Sequence, residues 1–233
     1  RLLSEFQFVN GIHVHIGSQG MELKQLSEGT GAILRLVDEL PDESISSIKW
    51  VDIGGGISVD YEIGRLSFTF SEVSESISWF YNKHPEIQLV TEYGRALVST
   101  TACLVSRAEK VFERDGIQNI IIHAGADAFL RWVYSPENWW HRISLEDESE
   151  AELVPTQVHG PLCFSGDKLG VVTPMARASI GSLVVVHDVG AYVISMWSKH
   201  CNRRRPMVIG IKKNETPELL FPGDDKDDII GQW

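Results

Sequence analysis

Hydrophobic positions in the first hundred residues switch between two periods. Phe8 to Ile16 has the character of a strand and closes on Gly17-Ser18; Leu26, Ile33, Val37 and Leu40 then share one face of a helix that Pro41 ends. Lys49 to Ile53 reads as a second strand running into Gly54-Gly55-Gly56. Thr69, with Glu72 three positions on, makes a capping box ahead of a helix striped by Phe70, Val73, Ile77 and Phe80, which Pro85 closes. Gln88 to Glu92 is a third strand, again followed by a glycine turn. The order strand–helix–strand–helix–strand predicts parallel strands, as in a doubly wound sheet or a TIM-type (β/α)8 barrel.

After about Val98 the pattern changes. Cys103 to Phe112, Asn119 to His123, Leu153 to Val158, Ser182 to His187 and Met207 to Ile211 are strand-like and separated by turn residues. The fold class is therefore α/β plus all-β, with an α/β part over 1–98 and a β-domain over 99–233. The acidic stretches Leu145 to Glu152 and Gly223 to Asp228 are expected to be solvated loops.

Charge narrows the function. Among 233 residues, 21 Lys and Arg face 32 Asp and Glu, a net charge of −11, so a nucleic-acid backbone is not the expected partner. The one basic cluster, Arg203 to Arg205, is too short to change this. No apolar run approaches the roughly 18 residues of a membrane span. Cys103, Cys163 and Cys201 are widely spaced, which predicts neither a disulfide framework nor a metal pair. A reducing compartment is expected, either the cytoplasm or an organelle stroma or matrix. The chain opens on Arg1 inside patterned sequence, which suggests a piece of something longer.

Each parallel-type strand delivers polar or permissive residues at its C-terminal end: His13, His15 and Ser18; Gly54 to Gly56; Glu92 and Arg95. In a barrel those ends form the active-site face. Glycine-rich backbone can cradle an anion, and Ser18 and Arg95 could add a hydroxyl and a guanidinium fork. Against this, the glycines could be a tight turn, His15 a core histidine, and Glu92 an ion-pair partner of Arg95. In the second half, Gly160 to Asp167 places Cys163 and Asp167 on a loop, and Asp188 to Tyr192 sets a tyrosine past a β-branched strand. A buried thiol and a core aromatic are the structural alternatives.

Six segments in order resemble one family: GIHVHIGSQ (Gly11 to Gln19), VDIGGG (Val51 to Gly56), EYGRALV (Glu92 to Val98), FLRWVY (Phe129 to Tyr134), GPLCFSGD (Gly160 to Asp167) and DVGAY (Asp188 to Tyr192). They are similar to the pyridoxal-phosphate-dependent diaminopimelate, ornithine and arginine decarboxylases, most of all the diaminopimelate branch. The resemblance implies an alanine-racemase-like fold, with 1–98 the last strands and helices of the barrel and 99–233 the C-terminal β-domain. It implies pyridoxal 5'-phosphate as cofactor, a small amino acid as substrate, no metal, and a homodimer with shared sites. His15 is implied to stack on the pyridine ring, and Glu92 to hold the ring nitrogen. Ser18, Gly54, Gly55, Gly56, Gly94, Arg95 and Tyr192 are implied for the cofactor, and Arg95, Arg131 and Tyr134 for the substrate's distal end. Cys163 is implied to protonate the substrate carbon of the partner's site, a role suited to a thiol whose ordinary pKa is roughly 8.5.

Several positions depart from the family. Its Schiff-base lysine lies on the first barrel strand, a context in which no lysine of this chain sits, so the chain alone is not expected to turn over. Phe164 replaces a glutamate that reads the substrate's distal amino group; either Asp167 compensates or the substrate has a less polar end. Tyr93 replaces a proline, and His123 an aspartate. The aromatic segment Trp132 to Trp140 reads as packing ahead of a substrate wall. A non-catalytic binding paralogue and a racemase of the same fold are the other readings, the racemase disfavoured by the thiol loop.

Overall fold

A computed structural model describes residues 2–6, 8–146 and 152–231. The chain divides into two compact units, Arg1–Ala102 and Cys103–Trp233. The first contains, in order, α1 (Leu2–Glu5), β1 (Gly11–His13), α2 (Leu23–Asp38), α3 (Asp42–Ile45), β2 (Trp50–Asp52), β3 (Val59–Asp60), β4 (Arg65–Leu66), α4 (Phe70–Lys83), β5 (Gln88–Val90) and α5 (Gly94–Val98). β1, β2 and β5 form a parallel sheet in that order, with Ile12 opposite Val51 and Val51 opposite Leu89.

These strands are shorter than the apolar runs that predict them, but the ladder continues past their ends. Val14 N donates to Asp52 O at 2.9 Å, Ile53 N to Val90 O at 3.1 Å, and Glu92 N to Gly54 O at 2.8 Å. Helices α2 and α4 contribute to the same apolar core as Val51 and Ile53. On α2 the buried face is Leu26, Thr30, Gly31, Leu34 and Val37, with the expected Ile33 and Leu40 only partly covered. On α4 the stripe is Val73, Ile77 and Phe80; Phe70, expected within it, is 39% exposed and meets Tyr93 edge-on. The Thr69–Glu72 capping box forms as expected, Thr69 Oγ1 accepting from Glu72 N at 3.2 Å. Such a cap contributes about 1 kcal/mol.

The second unit contains β6 (Leu104–Arg107), β7 (Lys110–Arg114), β8 (Ile117–Ile121), α6 (Leu130–Tyr134), β9 (Ile143–Leu145), β10 (Leu153–His159), β11 (Lys168–Ala176), β12 (Leu183–Val186), β13 (Val208–Gly210), β14 (Glu218–Phe221) and α7 (Lys226–Ile230). One sheet runs β11-β10-β8-β7, a second β6-β12-β9, and β13 pairs with β14. β10 is parallel to β8; the other pairings in these sheets are antiparallel. Alternate residues of β8 and β12, among them Ile120, Val184 and Val186, enter one core with Phe129, Trp132, Leu169 and Met175. β11, the longest strand among the described residues, is missed by the sequence pattern because Val171, Val172 and Thr173 are exposed in succession, which breaks the alternation.

Each acidic stretch departs from the expected solvated loop in part, while Glu146, Asp225, Asp227 and Asp228 are exposed as expected. Leu145 is buried at the end of β9, since its neighbour in the sheet is Val184, while residues 147–151 lie outside the described residues. In the tail, Asp225 caps α7, and the Asp224 side chain, 5% exposed, takes Arg205 Nη2 at 2.6 Å. Opposite charge, not solvation, orders that segment.

Asp38, at the end of α2, contacts Lys83 Nζ at 2.5 Å and His84 Nε2 at 2.8 Å at the end of α4. The hydrogen bond from Lys83, then that from His84, holds this carboxyl below its ordinary value. A depressed carboxylate stabilises the fold above its unfolded pKa of about 4, and that contribution is lost as pH falls through the folded value. Asp38→Asn is expected to lower the melting temperature at pH 7 and to flatten its decline in acid, as read by thermal melts from neutral pH down to pH 2.

Candidate active site

The ends of β1, β2 and β5 bring His15, Gly54, Gly55 and Glu92 together. His15 Nδ1 lies 3.3 Å from Glu92 Oε2 and 3.3 Å from Gly55 N, and His13 Nε2 lies 3.8 Å from Glu92 Oε1. One Nδ1 cannot do both jobs in one tautomer: protonated it donates to Glu92, bare it accepts from Gly55 N–H. The His15 and Glu92 side chains are 44% and 47% exposed. His15 is therefore not a core histidine, and the carboxylate beside it faces two imidazoles.

The three glycines are required first by packing. A Cβ on Gly54, whose φ is +68°, would lie 2.7 Å from Val14 O and 2.8 Å from His15 Nδ1; one on Gly55 would lie 2.8 Å from Glu92 O. No other residue lets the β2 end lie this close to His15 and Glu92. Asp52 Oδ1 accepts from Gly54 N at 2.8 Å and closes the turn. Ligand atoms of His13, Asp52 and Glu92 lie within 4.8 Å of one another, the one such group among the described residues, although this bond already engages Asp52.

Other expected residues of this unit sit differently. Ser18 is exposed, and its carbonyl accepts from Ser58 Oγ at 3.3 Å. Arg95 is buried, and its Nη1 donates to Tyr61 Oη at 2.8 Å. Gly94 is exposed, with open space where a Cβ would stand. The segment after β1 is pinned by residues the sequence reading missed: the Gln19 side chain pairs with both backbone groups of Val59, and Ser58 Oγ accepts from Met21 N at 2.8 Å. Their only signal in sequence is polarity inside an otherwise apolar stretch.

The second unit assembles its own group of expected residues. The Arg131 guanidinium lies 4.7 Å from the ring centres of both Trp139 and Tyr192. Tyr192 adopts φ +60°, a left-handed conformation uncommon for an aromatic. Tyr134 stacks on Phe164 at 5.8 Å and 11°, and Phe164 on His200 at 5.5 Å and 22°. Cys163 is exposed, not buried as the structural alternative has it, and its Sγ lies 3.5 Å from Cys201 Sγ. That thiol–thiol hydrogen bond is the leading cause pushing the Cys163 thiol above its ordinary value.

Asp167 corrects the expectation of a substrate-reading carboxylate. It is 3% exposed, and its two oxygens accept from Ala126 N and Leu162 N, each at 2.7 Å. Burial pushes its pKa up despite those bonds. The carboxylate ties two loops together, and a Cβ on Gly125 or Gly160 would collide with it at 2.3 and 2.2 Å. His123 pairs with Glu109 at 3.1 Å. Within the aromatic segment Trp132 is core, packed edge-on to Phe129, whereas Trp140 is 40% exposed.

Residues 5–99 match the family model described as pyridoxal-dependent decarboxylase, pyridoxal binding domain. The chain is 30% identical over 220 residues to the diaminopimelate decarboxylase of Methanocaldococcus jannaschii, covering 91% of this chain and 49% of that protein. It is 29% identical to the diaminopimelate decarboxylase of Archaeoglobus fulgidus, covering 94% of this chain and 50% of that one. The crystal structure of the M. jannaschii enzyme matches with a TM-score of 0.84 at 26% identity, over 96% of this chain and 51% of its own. The Helicobacter pylori enzyme complexed with L-lysine matches with a TM-score of 0.83 at 22% identity, over 96% and 54%. The chain thus shares their fold, and it spans about half the length of the curated relatives it matches. Among the described residues no helix is long and apolar enough to cross a membrane.

Tyr93, where the pyridoxal-dependent decarboxylases were expected to have proline, is 8% exposed, its hydroxyl buried without a hydrogen-bond partner. Burial pushes this phenol up to about 12. Removing an unsatisfied buried hydroxyl while keeping the ring against Phe70 is neutral to stabilising. Tyr93→Phe is expected to raise unfolding stability by up to about 1 kcal/mol in urea titrations.

Proposed function

We propose that this chain is part of a pyridoxal-phosphate-dependent carboxy-lyase that converts meso-diaminopimelate to L-lysine and CO2. One observation carries the reading: a half-exposed His15–Glu92 pair, 3.3 Å apart, at parallel strand ends within a pyridoxal-binding segment. On this reading 1–98 closes the (β/α)8 barrel of an alanine-racemase-like fold and 99–233 is its β-domain.

The donor set fits the ring of pyridoxal phosphate: a carboxylate and an imidazole stand half-exposed side by side, with open space at Gly94 nearby in sequence. When bound, that group supplies an electron sink for the carbon that loses CO2. Glu92 holds a proton on the ring nitrogen, which keeps the sink strong. His15 covers a ring face, and Glu92 orients it. Ser18, Gly54 to Gly56, Gly94, Arg95 and Tyr192 are assigned to the phosphate. Arg131 and Tyr134 are assigned to the substrate, supported by their places beside Tyr192 and Phe164.

Cys163 carries the proton that replaces the lost carboxylate. Because Cys201 pushes its thiol up, Cys163 stays protonated near neutral pH and has a proton to give. We assign this donation to the site of a second copy in a homodimer. A second reading of the substrate rests on Phe164: a ring stacked with Tyr134 and His200 accepts no hydrogen bond from an amine. An amino acid with a less polar distal end would suit it better.

Two measurements on the enzyme containing this chain test the reading. Cys163→Ala is expected to lower kcat for lysine formation by roughly 100-fold or more, and Glu92→Gln to lower it as well; undiminished turnover in both would sink the assignment. Phe164→Glu is expected to lower KM for meso-diaminopimelate relative to an amino acid with an uncharged end. An unchanged ratio means that Phe164 does not set substrate choice.

A further inference from the structure

Cys163 and Cys201 are 38 positions apart in sequence, yet their sulfurs lie 3.5 Å apart with both side chains exposed. The contact is not isolated. The neighbouring residues, Phe164 and His200, stack their rings at 5.5 Å and 22°, so two adjacent contacts join the segments in step. Tyr134 also stacks with Phe164, at 5.8 Å and 11°. On the far side, Cys201 and Asn202 both take left-handed backbone, with φ of 56° and 50°. Left-handed backbone is unfavourable for a cysteine, and here it carries the turn that sets Cys201 Sγ against Cys163 Sγ.

We propose that Cys163 and Cys201 form a reversible intramolecular disulfide, with hydrogen peroxide as the oxidant. The thiolate of one cysteine attacks a peroxide oxygen; the O–O bond breaks, water leaves after protonation, and a sulfenic acid remains. The second sulfur then attacks the sulfenic sulfur, forming the S–S bond as the S–O bond breaks and a second water departs. Two thiols lose two electrons, and one peroxide becomes two waters. The sulfurs must close to about 2.05 Å, a movement that side-chain rotation can supply at exposed positions. Because the thiol–thiol hydrogen bond disfavours the Cys163 thiolate, the reaction quickens as pH rises. The bond itself is independent of the proposed function. Its consequence, loss of the proton that Cys163 would donate, rests on that reading.

The 233-residue chain is treated with hydrogen peroxide, its free thiols are counted, and its peptides are mapped without reduction. The expected result is that three thiols fall to one (3 − 2) and the peptides of Cys163 and Cys201 emerge linked. Dithiothreitol should restore all three thiols. Cys103→Ser should still form the link. Cys201→Ser should not, and should leave Cys163 as a sulfenic acid that dimedone traps. Loss of Cys103 instead, a link between two chains, separate sulfinic acids at Cys163 and Cys201, or no loss of thiol would each overturn the proposal. If the linked form of the whole enzyme still decarboxylates at full rate, the disulfide stands and the proton-donor reading falls.

Discussion

The first unit depends on how closely three strand ends approach one another. Beyond the last residues of β1, β2 and β5 the backbone ladder continues, and Glu92 N reaches Gly54 O at 2.8 Å. That closeness is possible only because Gly54 and Gly55 lack a Cβ that would strike Val14 O, His15 Nδ1 or Glu92 O. An added methyl would have to displace backbone, which a parallel ladder resists because every strand shares its bonds with a neighbour. From this constraint follow the placement of His15 against Glu92 and of Gly55 N–H against the imidazole. The chemistry assigned to this corner is a consequence of backbone packing.

In the second unit buried carboxylates do the equivalent work. Asp127 is fully buried; it accepts from Gly125 N and Ala128 N and pairs with Arg203 Nε at 2.8 Å. Asp167 accepts from Ala126 N and Leu162 N. A buried anion is tolerated only when donors surround it, and these donors belong to loops that otherwise lack a ladder. The two aspartates thereby hold 125–128 and 160–162 in fixed positions. Cys163 and Phe164 follow directly in the chain, so the thiol and the stacked ring inherit their places from Asp167.

The aromatic contacts add orientation. Arg131 lies 4.7 Å from the rings of both Trp139 and Tyr192, and Phe164 stacks with both Tyr134 and His200. A guanidinium against two rings keeps its charge while the rings shield it from water. It thus retains in-plane donors for an anionic group. The phenyl ring of Phe164 offers no such donor or acceptor, and this contrast underlies the second reading of the substrate.

Local patterns in the sequence determined the three parallel strands, the capped α4 helix and the change to β-structure after residue 98, because strand and helix periods and caps depend on neighbours in the chain. The resemblance picked out His15, Glu92 and Cys163, and the chain placed two of them together at strand ends. What sequence could not show depends on contacts between distant residues. Asp167 looked like a ligand-reading carboxylate, since nothing local says that Ala126 N, 41 positions away, takes its charge. Nothing local says that Arg95 is buried with its Nη1 on Tyr61 Oη, 34 positions away. Cys163 and Cys201 looked like separate thiols because spacing carries no information on pairing, and Ile33 and Phe70 looked buried because period alone does not say how wide the covered face is. Which polar groups are satisfied, and by whom, is decided only when the chain closes on itself.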